Sequence, residues 1–308
     1  MAQVSMQQVK ELRERTQAGL SDCKSALQEA EGDMEKAVEV ILKKGLAKSA
    51  KRAGKVASEG LVAAQVAADG KSAVIVEVNI QTDFAARNPD FVAFVGKVLE
   101  AASGAQDGVD LGAQPFPGGG QTVEETRQAL VGRLGENITV RRWQRLAVEG
   151  PGKVVCYVHM GGKVGVLLAV ATEAADQPQV AEFAENTSMQ AAAMAPLYLD
   201  KASVPEADQA KQGEIFQAQL AEEGKPEKAW PKIIEGKLAK WMKETCLVEQ
   251  QSVIESDKTV DQIRGEVAKT VGADVRIVGF VRYERGEGIE KPQGEDFADE
   301  VAKMAKGD

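Results

Sequence analysis

Few side chains in this sequence could do acid–base chemistry near neutral pH. His159 is its only histidine, and histidine is the side chain whose unperturbed pKa suits proton transfer in that range. The chain holds no GxSxG or HExxH motif, no GxGxxG after a strand and no evident pair of catalytic carboxylates. This pattern favours a binding protein over an enzyme, and a structural or surface role for His159 over catalysis.

The segment 69–72, Asp-Gly-Lys-Ser, looks like the end of a phosphate-binding P-loop. That motif needs a glycine five residues before Gly70, but Gln65 occupies the position. It also needs a following helix whose N-terminal amides hold the phosphates, whereas residues 73–80 have the composition of a strand. We therefore predict a β-hairpin turn at Asp69-Gly70, and no nucleotide, metal or other cofactor bound by the chain itself.

The segment from Gln81 to Asn88 joins a buried strand to an amphipathic helix and places an acid beside a large aromatic side chain. Because rigid elements hold both of its ends, Asp83 and Phe84 could form a stiff tip that presses on a partner. The alternative is that Phe84 turns back into the core while Asp83 caps a turn. The pattern alone leaves both interpretations open.

Composition limits the partners and the compartment. Lys and Arg number 38 against 47 Asp and Glu, for a net charge of −9, and proteins that hold phosphate backbones usually carry the opposite balance. We therefore expect no direct nucleic-acid binding. The three cysteines, Cys23, Cys156 and Cys246, form no CxxC pair and suggest a reducing compartment. Without a signal-like N-terminus or an apolar run that could cross a bilayer, we expect a cytoplasmic protein with no membrane contact.

Hydrophobic spacing predicts helices at the beginning of the chain. Residues 1–45 are predicted to form three short helices, with Asp33 capping the third and Gly45 ending it. The basic stretch 43–55 is either a solvated helix end and linker or a surface for an acidic partner. These residues together are expected to form a compact docking module.

Strand patterns dominate the middle of the chain. From Gly60 onward a strand–turn–strand–loop–helix pattern occurs twice, which suggests a duplicated core. Residues 200–250 are charged and helical, and the break at Lys225-Pro226 divides them into two helices. A last strand and a helix through Phe297, Val301 and Met304 complete the chain.

The predicted fold class is α+β: an N-terminal three-helix bundle (UBA-like), a duplicated α+β core with antiparallel strands, an inserted antiparallel helical hairpin and a C-terminal helix. The predicted domains are a helical docking domain with a basic linker (1–55), a first core subdomain (56–150), a second core subdomain in two parts (151–199 and 251–285), the inserted hairpin (200–250) and a C-terminal helical module (286–308).

Three segments resemble signatures of one family. Residues 12–27 (LRERTQAGLSDCKSAL) resemble the N-terminal signature of bacterial elongation factor Ts, and residues 77–87 (EVNIQTDFAAR) resemble its second signature. Residues 279–291 look like the C-terminal end of the same family. Two departures are visible, since Ala85 replaces the usual valine and Gln17 replaces a common glycine. The resemblance extends in the family's order over nearly the whole chain.

The resemblance implies a guanine-nucleotide exchange factor, not an enzyme, that acts in translation elongation. Such a protein would bind elongation factor Tu in its GDP-bound and nucleotide-free forms, displace Mg²⁺ and release GDP so that GTP can bind. The contact that dislodges the ion would come from four consecutive residues, Thr82, Asp83, Phe84 and Ala85.

Secondary contacts are implied at two other places. The helical bundle would dock on the GTPase domain through Leu12 and Arg13, and the turn with His159, Met160 and Gly162 would contact another domain of the partner. The C-terminal helix would return to the GTPase domain. The alternative function is a plain adaptor, in which the bundle docks a partner and the core is structural.

Overall fold

Three helices at the start of the chain pack around their own small core. The computed structural model describes residues 4–16 and 18–290, and in it these helices are α1 (Met6–Thr16), α2 (Leu20–Glu29) and α3 (Met34–Arg52). Asp33 caps α3 as predicted, because its carboxylate accepts a hydrogen bond from the Lys36 amide at 3.0 Å. The three predicted helices are present, whereas the likeness of the bundle to a UBA fold stays a prediction.

The third helix does not end where the sequence predicted. Gly45 lies inside α3, which continues as far as Arg52, so the prediction that this glycine closes the helix is wrong. A Cβ atom at Gly45 would lie 3.6 Å from the carbonyl oxygen of Gln128 in α6 (Val123–Leu134). The missing side chain therefore lets α3 pack closely on α6, and the helical module is attached directly to the first core unit.

The first core unit is a three-stranded antiparallel sheet with helices on one face. Its sheet has the strand order β1-β2-β3, and the Asp69-Gly70 segment joins β1 to β2 as predicted. Its elements, in addition to α6, are β1 (Glu59–Val66), β2 (Ser72–Ile80), α4 (Asp83–Ala86), α5 (Pro89–Gly104) and β3 (Ile138–Ala147).

The second core unit repeats this arrangement and carries an insertion. Its antiparallel sheet has the order β4-β5-β6 and is covered by the helices α7 and α10. A helical hairpin of α8 and α9 is inserted in the chain between these two helices. Its elements are β4 (Gly152–His159), β5 (Val164–Ala171), α7 (Pro178–Met194), α8 (Glu206–Glu222), α9 (Trp230–Thr245), α10 (Val260–Val271) and β6 (Arg276–Glu284). The α+β class with antiparallel strands is thus confirmed, while the exact domain boundaries stay predictions.

The duplication extends to individual residues of α6 and α10. Both helices begin with a capping box, built on Thr122 and Thr259. Each has an arginine at the same place, and its guanidinium donates to a carbonyl at the start of the next strand: Arg127 to Ile138 at 2.7 Å and Arg264 to Val275 at 2.9 Å. The two units are therefore copies of one supersecondary plan.

The two sheets pack face to face, so that the core has four layers in the order helix, sheet, sheet, helix. On β2, Val76 points to the cluster formed with α5 and α6, whereas Ile75 points to the cluster between the sheets. A Cβ atom at Gly165 would lie 2.6 Å from a methyl carbon of Val62, which shows how closely the sheets approach. Burial on both faces explains why β5 is continuously apolar and β2 is mostly so.

A buried carboxylate ties the last described segment to the first sheet. Glu77 of β2 is fully buried and accepts hydrogen bonds from Arg142 at 2.6 Å, from Arg141 at 3.0 Å and from the Gly286 amide at 2.7 Å. Burial alone would raise the pKa of Glu77, but the Gly286 amide, Asn79 and Arg142 together outweigh it and lower the pKa. The charged form is thus stabilised where the chain leaves β6.

The predicted C-terminal helix through residues 297–304 lies outside the described residues. Over the part of the chain that the structure describes, no helix is both long and apolar enough to cross a bilayer.

Candidate partner-binding site

The segment after β2 forms a single exposed turn of helix. Thr82 is the N-cap of α4, and its hydroxyl oxygen accepts a hydrogen bond from the Ala85 amide at 3.2 Å. Ala85 and Ala86 face the core and are 7% and 4% exposed, whereas Phe84 is 86% exposed. We call residues 82–86 the tip. The turn thus places its only aromatic side chain in solvent while its alanines fasten it to the core.

The two interpretations of this segment are now distinguished. Phe84 does not turn back into the core, and the cap of the turn is Thr82, not Asp83. Asp83 instead forms an ion pair with Arg87 at 3.2 Å, and both side chains are largely exposed. Exposed pairs of this kind contribute about 0–1 kcal/mol, so the carboxylate of Asp83 stays available to a partner.

A distant residue holds the tip, and sequence reasoning missed it. Glu136, which directly precedes Asn137 at the end of α6, accepts two hydrogen bonds from Thr82: from its amide at 3.0 Å and from its hydroxyl at 2.8 Å. The side-chain oxygen of Gln81 accepts from the Asn137 amide at 2.8 Å, and the Asn137 side chain donates to the Lys55 carbonyl at 2.8 Å. The segments that directly follow β2, α6 and α3 therefore meet beneath the tip.

The second predicted contact region is the turn between β4 and β5. The Nδ1 atom of His159 lies 2.8 Å from the Tyr157 hydroxyl, so the exposed imidazole and the half-buried tyrosine share a hydrogen bond. Met160 is 70% exposed and adopts a left-handed backbone conformation with a φ of 47°. The turn therefore presents one polar ring and one flexible apolar side chain to solvent.

Gly162, the third residue predicted in this turn, is buried and serves packing. Its carbonyl accepts from the Val62 amide at 2.8 Å, and a Cβ atom there would lie 2.8 Å from a methyl carbon of Leu61. Leu61 also packs against the core cluster that includes Ala85. The structure thus brings the tip and the His159 turn against the same strand, β1.

The helical module offers only one of its two predicted contact residues. Leu12 is fully buried in the core of the bundle, so it supports the module and does not lie on the surface that a partner could reach. Arg13, the next residue, is exposed. Buried apolar residues recur at helical spacing in α1, which is why neighbouring positions point in opposite directions.

A groove of about 700 Å³ separates this module from the first core unit. Glu14 and Arg15 at the end of α1 line one side, and Asp90 in the first turn of α5 lines the other. The Gly/Pro-rich loop at residues 104–121 closes one part of the groove, where Phe116 stacks on Phe94 with ring centres 5.7 Å apart. The end of α1 and the helix that follows the tip therefore border the same groove.

The described residues offer little metal or thiol chemistry. They contain no group of three or more His, Cys, Asp or Glu side chains placed to hold a metal ion. Burial raises the pKa of Cys23 and of Cys246, which disfavours their reactive thiolate forms. The regions described above are suited to binding a partner, because they present the exposed ring of Phe84, the polar turn at His159 and the exposed side chain of Arg13.

Known proteins resemble this chain over nearly its whole length. A family model described as Elongation factor TS matches residues 81–287. An elongation factor Ts of a Nitratiruptor species is 48% identical over 306 residues, which cover 98% of this chain and 99% of that protein. An elongation factor Ts of Clostridium perfringens is 47% identical over 303 residues, with 98% and 99% coverage. The chain therefore belongs to the elongation factor Ts family of guanine-nucleotide exchange factors.

Proposed function

We propose that this chain binds elongation factor Tu, in its GDP-bound and nucleotide-free forms, and that its tip dislodges the Mg²⁺ ion that helps to hold GDP. The observation that carries the proposal is Phe84, which stands 86% exposed on a turn whose other side is buried. Complete burial of a phenylalanine side chain contributes about 1.5–3 kcal/mol. That energy becomes available when the ring enters a partner.

The chemistry of the partner's ion makes it sensitive to such a wedge. Mg²⁺ requires nearly ideal octahedral geometry, so a small shift of the partner segment that holds its ligands or waters weakens its binding. The diphosphate then loses its main counter-charge. Asp83 places a further negative charge beside the ring and competes for donors that GDP uses.

The coupling between the two ligands is reciprocal. The factor by which the exchange factor weakens the binding of GDP is also the factor by which bound GDP weakens the binding of the exchange factor. A thousandfold effect corresponds to about 4 kcal/mol, which one buried aromatic residue and its neighbours can supply. Release and rebinding of nucleotide are both accelerated, and GTP replaces GDP because of its concentration.

The remaining predicted residues have distinct parts in this proposal. Thr82 and Ala85 support the tip, since the first caps the turn and the second is buried beneath it. Ala85 in place of the family's usual valine thus acts on packing under the tip. His159 and Met160 contact another domain of the partner, and Arg13 contacts its GTPase domain.

The proposal includes no catalytic residue and no direct nucleic-acid partner. The chain acts on the partner's bound nucleotide by contact alone, so it is not an enzyme, and its net charge of −9 disfavours phosphate backbones. We place this activity in the cytoplasm, where translation elongation occurs.

Release of labelled GDP from purified elongation factor Tu tests the proposal. Wild-type protein should accelerate release strongly at substoichiometric concentration, and Phe84→Ala should accelerate it at least about tenfold less. An adaptor would bind elongation factor Tu but leave the release rate unchanged. That result would overturn the exchange function for this chain.

A further inference from the structure

The duplicated core supplies an internal comparison for the tip. The loop from Thr82 to Pro89 in the first unit corresponds to the loop from Thr172 to Pro178 in the second. Each begins with a threonine hydroxyl that accepts from a downstream amide, and each ends at the proline that opens a helix. Both have an acid after the threonine and an Ala-Ala pair. The second loop is one residue shorter, and what it lacks is the aromatic side chain.

A second difference accompanies the first. In both units the helix before the last strand ends at a glycine with left-handed backbone geometry, Gly135 with a φ of 74° and Gly272 with a φ of 66°. The next residue is Glu136 in the first unit and Ala273 in the second. The carboxylate that holds Thr82 therefore occurs in the unit that carries Phe84, and an alanine stands in its place in the unit without the aromatic.

We propose that Glu136 is a positioning residue for nucleotide exchange, which holds the tip so that Phe84 stays extended toward the partner. This inference rests on the proposed function. The carboxylate accepts from both the amide and the hydroxyl of Thr82. Because the hydroxyl hydrogen is directed to Glu136, the hydroxyl oxygen presents its lone pairs to the Ala85 amide.

The tip needs such support because α4 has only four residues. A single helical turn forms few hydrogen bonds for the backbone freedom that it loses, and it is not stable by itself. Glu136 is in turn fixed by its neighbours, since Gly135 ends α6 and the Asn137 amide donates to Gln81. A rigid helix end thereby imposes its geometry on a short turn that is distant in the sequence.

Exchange kinetics distinguish positioning from affinity. Glu136→Gln keeps the shape of the side chain, but the two hydrogen bonds reach different carboxylate oxygens, and the NH2 group that replaces one of them cannot accept. The tip should then spend less time in the extended state, and activity falls with the fraction of competent molecules. We expect the maximal rate of GDP release to fall about fivefold, while the half-saturating concentration changes less than about twofold because other contacts provide docking.

A double-mutant cycle decides whether Glu136 acts through the aromatic ring. If it does, Glu136→Gln should have no further effect in the Phe84→Ala background. The matched control is Asp274→Asn, which removes an exposed carboxylate at the same end of the second unit and should leave exchange unchanged. An equal loss in both backgrounds, or a wild-type rate for Glu136→Gln, overturns the positioning role.

Amide hydrogen exchange of the free protein tests the same inference without a partner. The Ala85 and Ala86 amides bond to Thr82, so both should be protected in the wild type and exchange at least about tenfold faster in Glu136→Gln. Unchanged protection contradicts the inference. If Phe84→Ala leaves GDP release unaffected, the proposed function fails instead, and the protection measurement still reports on Glu136.

Discussion

Replacing Phe84 by alanine separates a role of the tip in exchange from a role in folding. The ring is 86% exposed, so it contributes only a small part of the 1.5–3 kcal/mol or so that complete burial would give. Alanine also has the higher helix propensity, which offsets part of that loss. The free energy of unfolding should therefore change by less than about 0.5 kcal/mol, and the melting temperature by no more than about 2 °C.

Phe94→Ala is the matched control for this experiment. Phe94 is the same residue type in the same core unit, but it is 3% exposed and stacks on Phe116. Its truncation leaves a cavity and should lower the free energy of unfolding by about 3–5 kcal/mol. The pair of variants thus shows what a buried phenylalanine in this unit contributes to stability.

The exchange assay completes the test. Phe84→Ala should slow stimulated release of labelled GDP by at least about tenfold, which corresponds to about 1.4 kcal/mol of lost interaction with the partner. Release and thermal unfolding are measured on the same preparations, so that activity can be expressed per folded molecule. A destabilised Phe84→Ala protein with normal activity per folded molecule would refute the wedge.

The other predictions concern affinity, backbone geometry and pH. Arg13→Glu should weaken binding to elongation factor Tu about fivefold without changing the melting temperature. The control Lys269→Glu on α10 should change neither the affinity nor the melting temperature. Gly162→Ala should lower the free energy of unfolding by about 1–3 kcal/mol in urea titrations, because its φ of 96° strains an L-residue and the Cβ atom meets Leu61. Glu77→Gln should lower it by about 2–3 kcal/mol at pH 7. The folded pKa of Glu77 lies below the unfolded value of about 4.3, so the wild type loses this contribution as the pH falls through the folded pKa. Below about pH 4.5 the free energy of unfolding of the wild type should therefore decline more steeply than that of the variant.

Sequence alone predicted the features that depend on neighbouring residues. The turn at Asp69-Gly70 and the cap at Asp33 are local, because turn chemistry and side-chain spacing act over a few residues. The end of α3 was missed for the opposite reason. Gly45 has low helix propensity, but packing against α6 lies outside any local window and overrides it.

In the candidate site, too, local features were predicted and contacts between distant residues were missed. The segment Gln81–Asn88 was recognised, but its pattern fits both a buried and an exposed Phe84, since one aromatic residue defines no period. The pair between Thr82 and Glu136 joins residues on different elements and leaves no spacing signal. The likeness of the helix starts at Thr122 and Thr259 is visible in the sequence, but an insertion between the copies obscures their alignment until the strand order is known.

In the exchange mechanism that we propose, the arrangement of the contact regions allows a small tip to distort a folded partner. A wedge shifts another segment only if it is stiffer than the segment that it displaces, and Thr82, Glu136 and the buried alanines give the tip that stiffness. Contacts elsewhere add to the energy that burial of the Phe84 ring supplies. The His159 turn packs on the same strand as the tip, and α3 joins the helical module to α6. Because one scaffold carries all three regions, we expect binding energy gained at the turn and the module to act at Phe84.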